Sequence, residues 1–232
     1  MDLSHRADAA ELMDSPDLSF SIYERSLLDL EKLNRLTWTH KPTLRWLSQA
    51  TAKLPRGSKF SLLDIGFGRG DLLRAIYAWA IRKKFEPVLV GIDLNPRSAI
   101  VAKAATQPGL PITFLTGDIF KFDTPQNFDF IVTSQFAHHL TNNETGQLLR
   151  WMDLRAELGW HVVDLHRHVI AYYGFPWLAR LCGWHPIVRH DGAVSITRGF
   201  RQVDWMRILA EANLTADICW HWAFRHSLSH LK

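Results

Sequence analysis

Short apolar runs of β-type residues stand at 60–65, 88–92, 112–115, 128–133 and 160–165. Runs of this length, bounded by turn formers, fit strands buried on both faces. Between them, apolar residues fall at helical spacing over 72–81, 97–105 and 141–154. Residues 16–52 read as two further helices ahead of the first strand. Leu27, Leu30, Leu33 and Leu36 mark the first, and Lys41-Pro42 opens the second, where proline suits the first turn. Leu44, Trp46 and Leu47 point inward there, and the 55–58 loop ends it. Strands alternating with helices predict an α/β chain with a mostly parallel sheet and helices on both faces.

After the fifth strand the pattern changes. Residues 168–181 are apolar and aromatic and are interrupted at Gly174 and Pro176. They read as an inserted helical lid; a segment lying on a membrane surface is the alternative, with few basic residues flanking it. Residues 189–192, with Ser195 and Arg198, read as a polar loop, with a turn carrying surface charges slightly favoured over a substrate-side role. The last helix is expected over 202–212, with Val203, Met206, Leu209 and Ala210 on one face. Residues 215–222 and 223–231 close the chain as a strand pair, bringing the strands to seven. One domain is expected: a helical cover over 1–57, a ligand-binding half over 58–165, then lid, last helix and final strands over 166–232. The first helices either cover the site or simply cap the sheet.

The first strand ends in Asp64, and Gly66, Gly68 and Gly70 follow at every second position before a helix begins. Glycine tolerates the positive φ of such a turn and lets the backbone approach a ligand. The helix N-terminus behind it offers free N–H groups to an anion. A dinucleotide fingerprint places its third glycine where Asp71 stands here, so the D-x-G-x-G-x-G spacing speaks against that ligand. The second strand ends at Asp93, followed by Leu94 and by Asn95-Pro96, a helix cap and first turn. The third is followed by Gly117, Asp118 and Ile119, and the fourth by Ser134, Gln135, Phe136 and Ala137, then His138, His139 and Leu140. The fifth ends at Asp164.

In this order and spacing the strand ends resemble motifs I to IV of the class I S-adenosylmethionine (SAM) dependent methyltransferases. The resemblance is strong over 62–165 and weaker to the C-terminus. It implies a seven-stranded sheet of the Rossmann-like methyltransferase type, with SAM as cofactor. It implies cofactor contacts from Asp64, Gly66, Phe67, Gly68, Asp93, Leu94, Asp118, Ile119, Ser134 and Gln135. Asp93 would take the ribose hydroxyls and Asp118 the adenine amino group, with the apolar neighbour on the ring.

Composition narrows the rest. With 232 residues and 47% hydrophobic content, the chain can fill one substantial core. No apolar run is long enough for a transmembrane helix, and the polar, acidic first residues lack the apolar stretch of a secretion signal. Two cysteines, Cys182 and Cys219, are too few and too isolated for a disulfide framework or a zinc site, so no metal is expected and the cytoplasm is the default. The net charge of +4 is scattered, without a Lys/Arg-rich block. Ten tryptophans and twelve histidines are the unusual counts, and they suit an aromatic cavity.

The expected reaction is methyl transfer to a small molecule bearing a phenolic, quinone or polyketide-type hydroxyl or an enol carbon, as in secondary metabolism. His138 and His139 are the candidate bases, because histidine titrates near neutrality and the pair follows a strand end. His166 and Arg167 are candidate substrate contacts. Nucleic acid is the less favoured acceptor, since SQFAHH replaces the Asn/Asp-Pro-Pro-aromatic sequence that holds a flipped base. A non-catalytic partner subunit is a third reading. The chain is expected as a monomer or homodimer.

Overall fold

Each of the five apolar runs forms a strand, and every strand reaches at least one residue past its run. The computed structural model describes residues 3–122, 124 and 126–232. The strands are β1 (Lys59–Ile65), β2 (Glu86–Asp93), β3 (Ile112–Thr116), β4 (Phe128–Ser134), β5 (Ala156–Leu165), β6 (Asp217–His221) and β7 (Arg225–Leu231). The helices are α1 (Phe20–Leu36), α2 (Lys41–Ala50), α3 (Asp71–Lys83), α4 (Pro96–Ala105), α5 (Asn142–Arg155), α6 (Val169–Leu181), α7 (Pro186–Arg198) and α8 (Gln202–Ala212). They form one seven-stranded sheet in the order β3-β2-β1-β4-β5-β7-β6. Strands β1 to β5 pair in parallel, and β7 runs antiparallel to both neighbours. The strand order reverses between β1 and β4. In open parallel sheets ligands bind outside the carboxyl ends of the strands at such a reversal.

Two cores sandwich the sheet. On one face Trp46, Leu47, Leu73, Ile76 and Trp79 of α2 and α3 pack on Phe60, Leu62 and Phe130. On the other, Leu148, Leu149 and Met152 of α5 meet Trp205, Ile208 and Leu209 of α8 over Ile131, Trp160 and Val162. The start of α5 is fixed locally: the Thr141 hydroxyl accepts the Glu144 N–H, and the Glu144 carboxylate accepts the Thr141 N–H.

Three expectations need correction. The 189–198 segment is the helix α7. Pro186 occupies its first turn and His185 caps it, its Nδ1 accepting the Ile187 N–H at 3.3 Å. Helix α6 runs unbroken through Gly174 and Pro176. It packs lengthwise on α7, and the Phe175 ring sits so close to Gly192 that a Cβ there would lie 2.0 Å from it. Tertiary packing thus overrides local helix-breaking tendencies. In α8 the inward stripe is Trp205, Ile208, Leu209 and Ala212, while Val203 and Met206 are exposed. Trp205 stacks on Phe200 with centroids 3.8 Å apart, and burying the indole outweighs burying the smaller pair. Leu36 is also exposed, at the end of α1.

Candidate active site

The turn after β1 is built by glycine. Gly66 has φ +75°, and a Cβ there would lie 2.7 Å from the Phe136 ring. Gly70, at φ +74°, begins α3 without a side-chain cap, so the first N–H groups of the helix face the turn. Asp71 fills the next position and is bound by His40 Nε2 and Asn34 Nδ2, each at 2.9 Å. Asp64, just before the turn, is buried, and its Oδ2 has no hydrogen-bond partner among the described residues. Burial, then the charges of Asp71 and Asp93, push its pKa well above the usual carboxylate range. A carboxylate so placed favours an incoming cation.

Asp93 closes β2. Its Oδ2 accepts the Gly68 N–H and its Oδ1 the Asn95 N–H, both at 2.9 Å. Leu94 beside it is exposed into the same space. Asp118 Oδ1 accepts the Phe120 N–H at 3.0 Å, and Ile119 is buried behind it. The Ser134 hydroxyl at the end of β4 is buried without a partner. Gln135 takes φ +55°, and its amide donates to Asn34 Oδ1 at 2.7 Å.

These ten residues, with His138 and His139, line one cavity of about 1500 Å³. Its far side is walled by α1, α6 and α7, through Leu27, Leu30, Leu33, Phe175, Leu178 and Val188. The residues ahead of α1 close it as a strap. The Ala7 N–H donates to Thr197 O at 3.1 Å, and the Leu12 and Met13 N–H groups donate to Asp191 at 2.9 and 2.8 Å. The Arg6 guanidinium lies over the Phe200 ring and donates to the carbonyls of His138, Leu140 and Arg198.

The two histidines differ. His138 is buried, its Nδ1 2.7 Å from Asp164 Oδ1 and its Nε2 3.5 Å from Glu11 Oε1. Burial alone would lower its pKa; the charge of Asp164, the hydrogen bond to it and Glu11 outweigh that and raise it to about 9. A histidine held protonated between two carboxylates does not accept a proton near neutrality. That environment speaks against His138, and for His139, in the expected base role. His139 is partly exposed on the cavity wall, with Nδ1 3.4 Å from Asp14 and Nε2 4.0 Å from Glu11.

The structure does not bring His166 and Arg167 to the cavity. Arg167 is 1% exposed and donates to the carbonyls of Leu3, Ser4 and Gly199 and to Asp204. It ties the strap to α8. His166 sits among His168, His226 and Trp220 on the β7 side of the sheet. Burial first, then the neighbouring histidines, lower its pKa to about 4.

Sequence reasoning missed Glu11, Asp14, Asn34 and Asp191. Glu11 and Asp14 lie in an acidic stretch with no motif around it; between them Met13 is buried and Leu12 exposed. Asp191 was hidden in a segment taken for a turn.

Residues 62–154 match the family described as a methyltransferase domain. No curated protein matches the chain. Among solved structures, it resembles the magnesium protoporphyrin IX methyltransferase ChlM of Synechocystis PCC 6803 with bound SAH, at 16% identity and TM-score 0.56, covering 94% of this chain and 90% of that one. It also resembles the plantazolicin methyltransferase BpumL in complex with a pentazolic desmethylPZN analog and SAH, at 14% identity and TM-score 0.62, covering 94% and 88%. A third is a SAM dependent methyltransferase from Aquifex aeolicus, at 15% identity and TM-score 0.61, covering 92% and 98%. The fold is that of class I methyltransferases, carried on the predicted seven-stranded sheet.

Proposed function

We infer that this chain, with a methyltransferase domain at 62–154 on a class I fold, is a SAM-dependent methyltransferase, and we propose that its acceptor is a bulky, largely apolar small molecule. The observation that carries the acceptor class is the cavity. Its volume of about 1500 Å³ exceeds the roughly 300–1,000 Å³ of a pocket for one drug-sized ligand. It leaves room for an acceptor beside the cofactor, against a wall rich in leucine and phenylalanine.

The donor residues fit the cofactor. Asp64 Oδ2 and the Ser134 hydroxyl are buried polar atoms without partners among the described residues, and Gly66, Gly68 and Gly70 supply the positive φ that the turn requires. In this reading Asp64 receives the ammonium group. Asp93 keeps lone pairs on both oxygens for the ribose hydroxyls, beyond the two N–H groups it already accepts. Leu94 and Ile119 flank the adenine, and Asp118 takes its amino group. The cofactor supplies an electrophilic methyl group on a sulfonium. The chain contributes position: its two cavity walls hold the acceptor's nucleophile in line with that methyl and exclude water. His139, the exposed member of the histidine pair, is the one placed to meet an acceptor hydroxyl or enol.

Calorimetry with SAM, SAH and NAD tests the donor side. SAM and SAH are expected to bind and NAD is not; binding of NAD alone would overturn the reading. Transfer of a labelled methyl group to a panel of phenols, quinones and polyketides, with transfer RNA beside them, tests the acceptor class. Label on the RNA alone refutes a small-molecule acceptor.

A further inference from the structure

The Glu11, His138 and His139 side chains converge on the cavity wall. One ligand atom from each lies within 4.8 Å of the others. Each histidine repeats the same arrangement. His138 turns Nδ1 to Asp164 at 2.7 Å and Nε2 to Glu11 at 3.5 Å; His139 turns Nδ1 to Asp14 at 3.4 Å and Nε2 to Glu11 at 4.0 Å. A carboxylate behind Nδ1 orients each imidazole, as outer carboxylates do for metal-bound histidines, and an ion binding at Nε2 displaces the proton that His138 otherwise holds there. A tetrahedral ion with bonds of about 2.1 Å keeps its donors about 3.4 Å apart; the 3.5 Å from His138 to Glu11 matches this, and the 4.0 Å from His139 to Glu11 closes by a small side-chain shift.

We propose that Glu11, His138 and His139 form a site for one divalent transition-metal ion, with Asp164 and Asp14 orienting the two imidazoles. Two imidazoles and one carboxylate suit zinc, cobalt(II) or iron(II) rather than magnesium or calcium. Three carboxylates, Glu11, Asp14 and Asp164, surround the site. The nearby guanidinium groups of Arg6 and Arg198 point away from it, donating to the backbone carbonyls of His138 and His139. Glu11 is further fixed by the Ser195 hydroxyl at 2.6 Å. Three protein ligands leave a coordination position open toward the cavity. What the ion does there rests on the methyltransferase reading: it would bind the acceptor oxygen and lower its pKa, so that the proton leaves to bulk solvent before methyl transfer and His139 acts as a ligand rather than as the base. Because Glu11 belongs to the strap, the ion also clasps the strap to the loop after β4.

The test starts from full-length protein stripped with a chelator. Zinc is titrated by calorimetry and cobalt(II) by visible absorption, for the wild type, Glu11→Gln and His139→Ala. One ion per chain, a cobalt band of low-coordinate nitrogen–oxygen type, and at least tenfold weaker binding in both variants are expected. Asp164→Asn should weaken binding about 10- to 100-fold if it orients His138. Equal binding by wild type and all variants would mark the ion as held by other surface histidines and overturn the site. No binding by the wild type would do the same. SAM titration of the stripped protein reports on the donor side separately, so failure there leaves the metal result standing.

Discussion

The donor and acceptor sides of the cavity are assembled differently. The donor side comes from successive strand ends: Asp64 and the glycines after β1, Asp93 after β2, Asp118 after β3, Ser134 after β4. Each is placed by its own strand–turn–helix unit and needs little from distant parts of the chain. The acceptor side is held by contacts between segments far apart in sequence, such as Arg6 with Arg198, Glu11 with Ser195, Asp29 with the His185 N–H, and Asp191 with Leu12 and Met13. A site built locally can be disturbed one residue at a time. A site built from long-range polar ties is disturbed through its ties.

The sharpest test of that contrast is Arg167→Ala. It removes a buried cation with four hydrogen-bond acceptors, one of them charged. Loss of about 3–5 kcal/mol of stability is expected, as for breaking a buried ion pair. Denaturant titration measures it, and a fall in acceptor affinity with stability intact would restore the substrate role first expected of this residue. Next is Asp93→Ala. If Asp93 holds the ribose, cofactor binding weakens by about 1.5–3 kcal/mol while acceptor KM at saturating cofactor stays within a factor of two. Equal effects on both ligands would erase the distinction between the two sides.

Asp191→Ala is the acceptor-side counterpart. Two backbone N–H groups of the strap lose their partner, at about 1–3 kcal/mol. Hydrogen exchange at Leu12 and Met13 should accelerate and acceptor turnover fall, with the SAM dissociation constant little changed. The smallest effect asks whether acid sensitivity belongs to the acceptor side alone. His161, in β5, stacks on Trp46 at 5.1 Å and meets Thr43 at 3.3 Å, with His221 nearby. Burial, then His221, lower its pKa to about 3. Above pH ~6.5 it is neutral folded or unfolded. Below that, only the unfolded chain takes the proton, so stability falls by about 1.4 kcal/mol per pH unit until the folded group titrates. His161→Phe should flatten the decline in melting temperature between pH 7 and 5; an unchanged slope would assign the sensitivity elsewhere.

The same contrast explains what the sequence disclosed. Strands β1 to β5 and the residues at their ends were legible, because apolar runs, acids and glycines in fixed local spacing carry their own geometry. Asp93 and Gly66 needed no tertiary knowledge. The α7 helix was not legible, since its reasons are Phe175 against Gly192 and Asp191 against the strap, partners in other segments. The α8 face was misread because two apolar stripes compete there and only the Phe200 stack decides between them. Arg167 resembles a ligand-binding cation in sequence and is a structural one, since two of the carbonyls it satisfies, those of Leu3 and Ser4, are 164 and 163 residues away. His138 and His139 are adjacent in sequence, and only the depth of one and the exposure of the other separates their roles.

The strap has a consequence for how the molecule reaches this state. Its partners at Asp191, Ser195, Thr197 and Arg198 lie more than 170 positions along the chain from it. Pairings of such separation carry a large loop-closure entropy and form late in folding. Sheet and glycine turn can therefore assemble first, and the strap ahead of them in sequence docks among the last. During that interval the donor end already exists while its roof stands open. The order of maturation runs opposite to the order along the chain, and closing the roof is the step that turns an open sheet edge into a walled cavity.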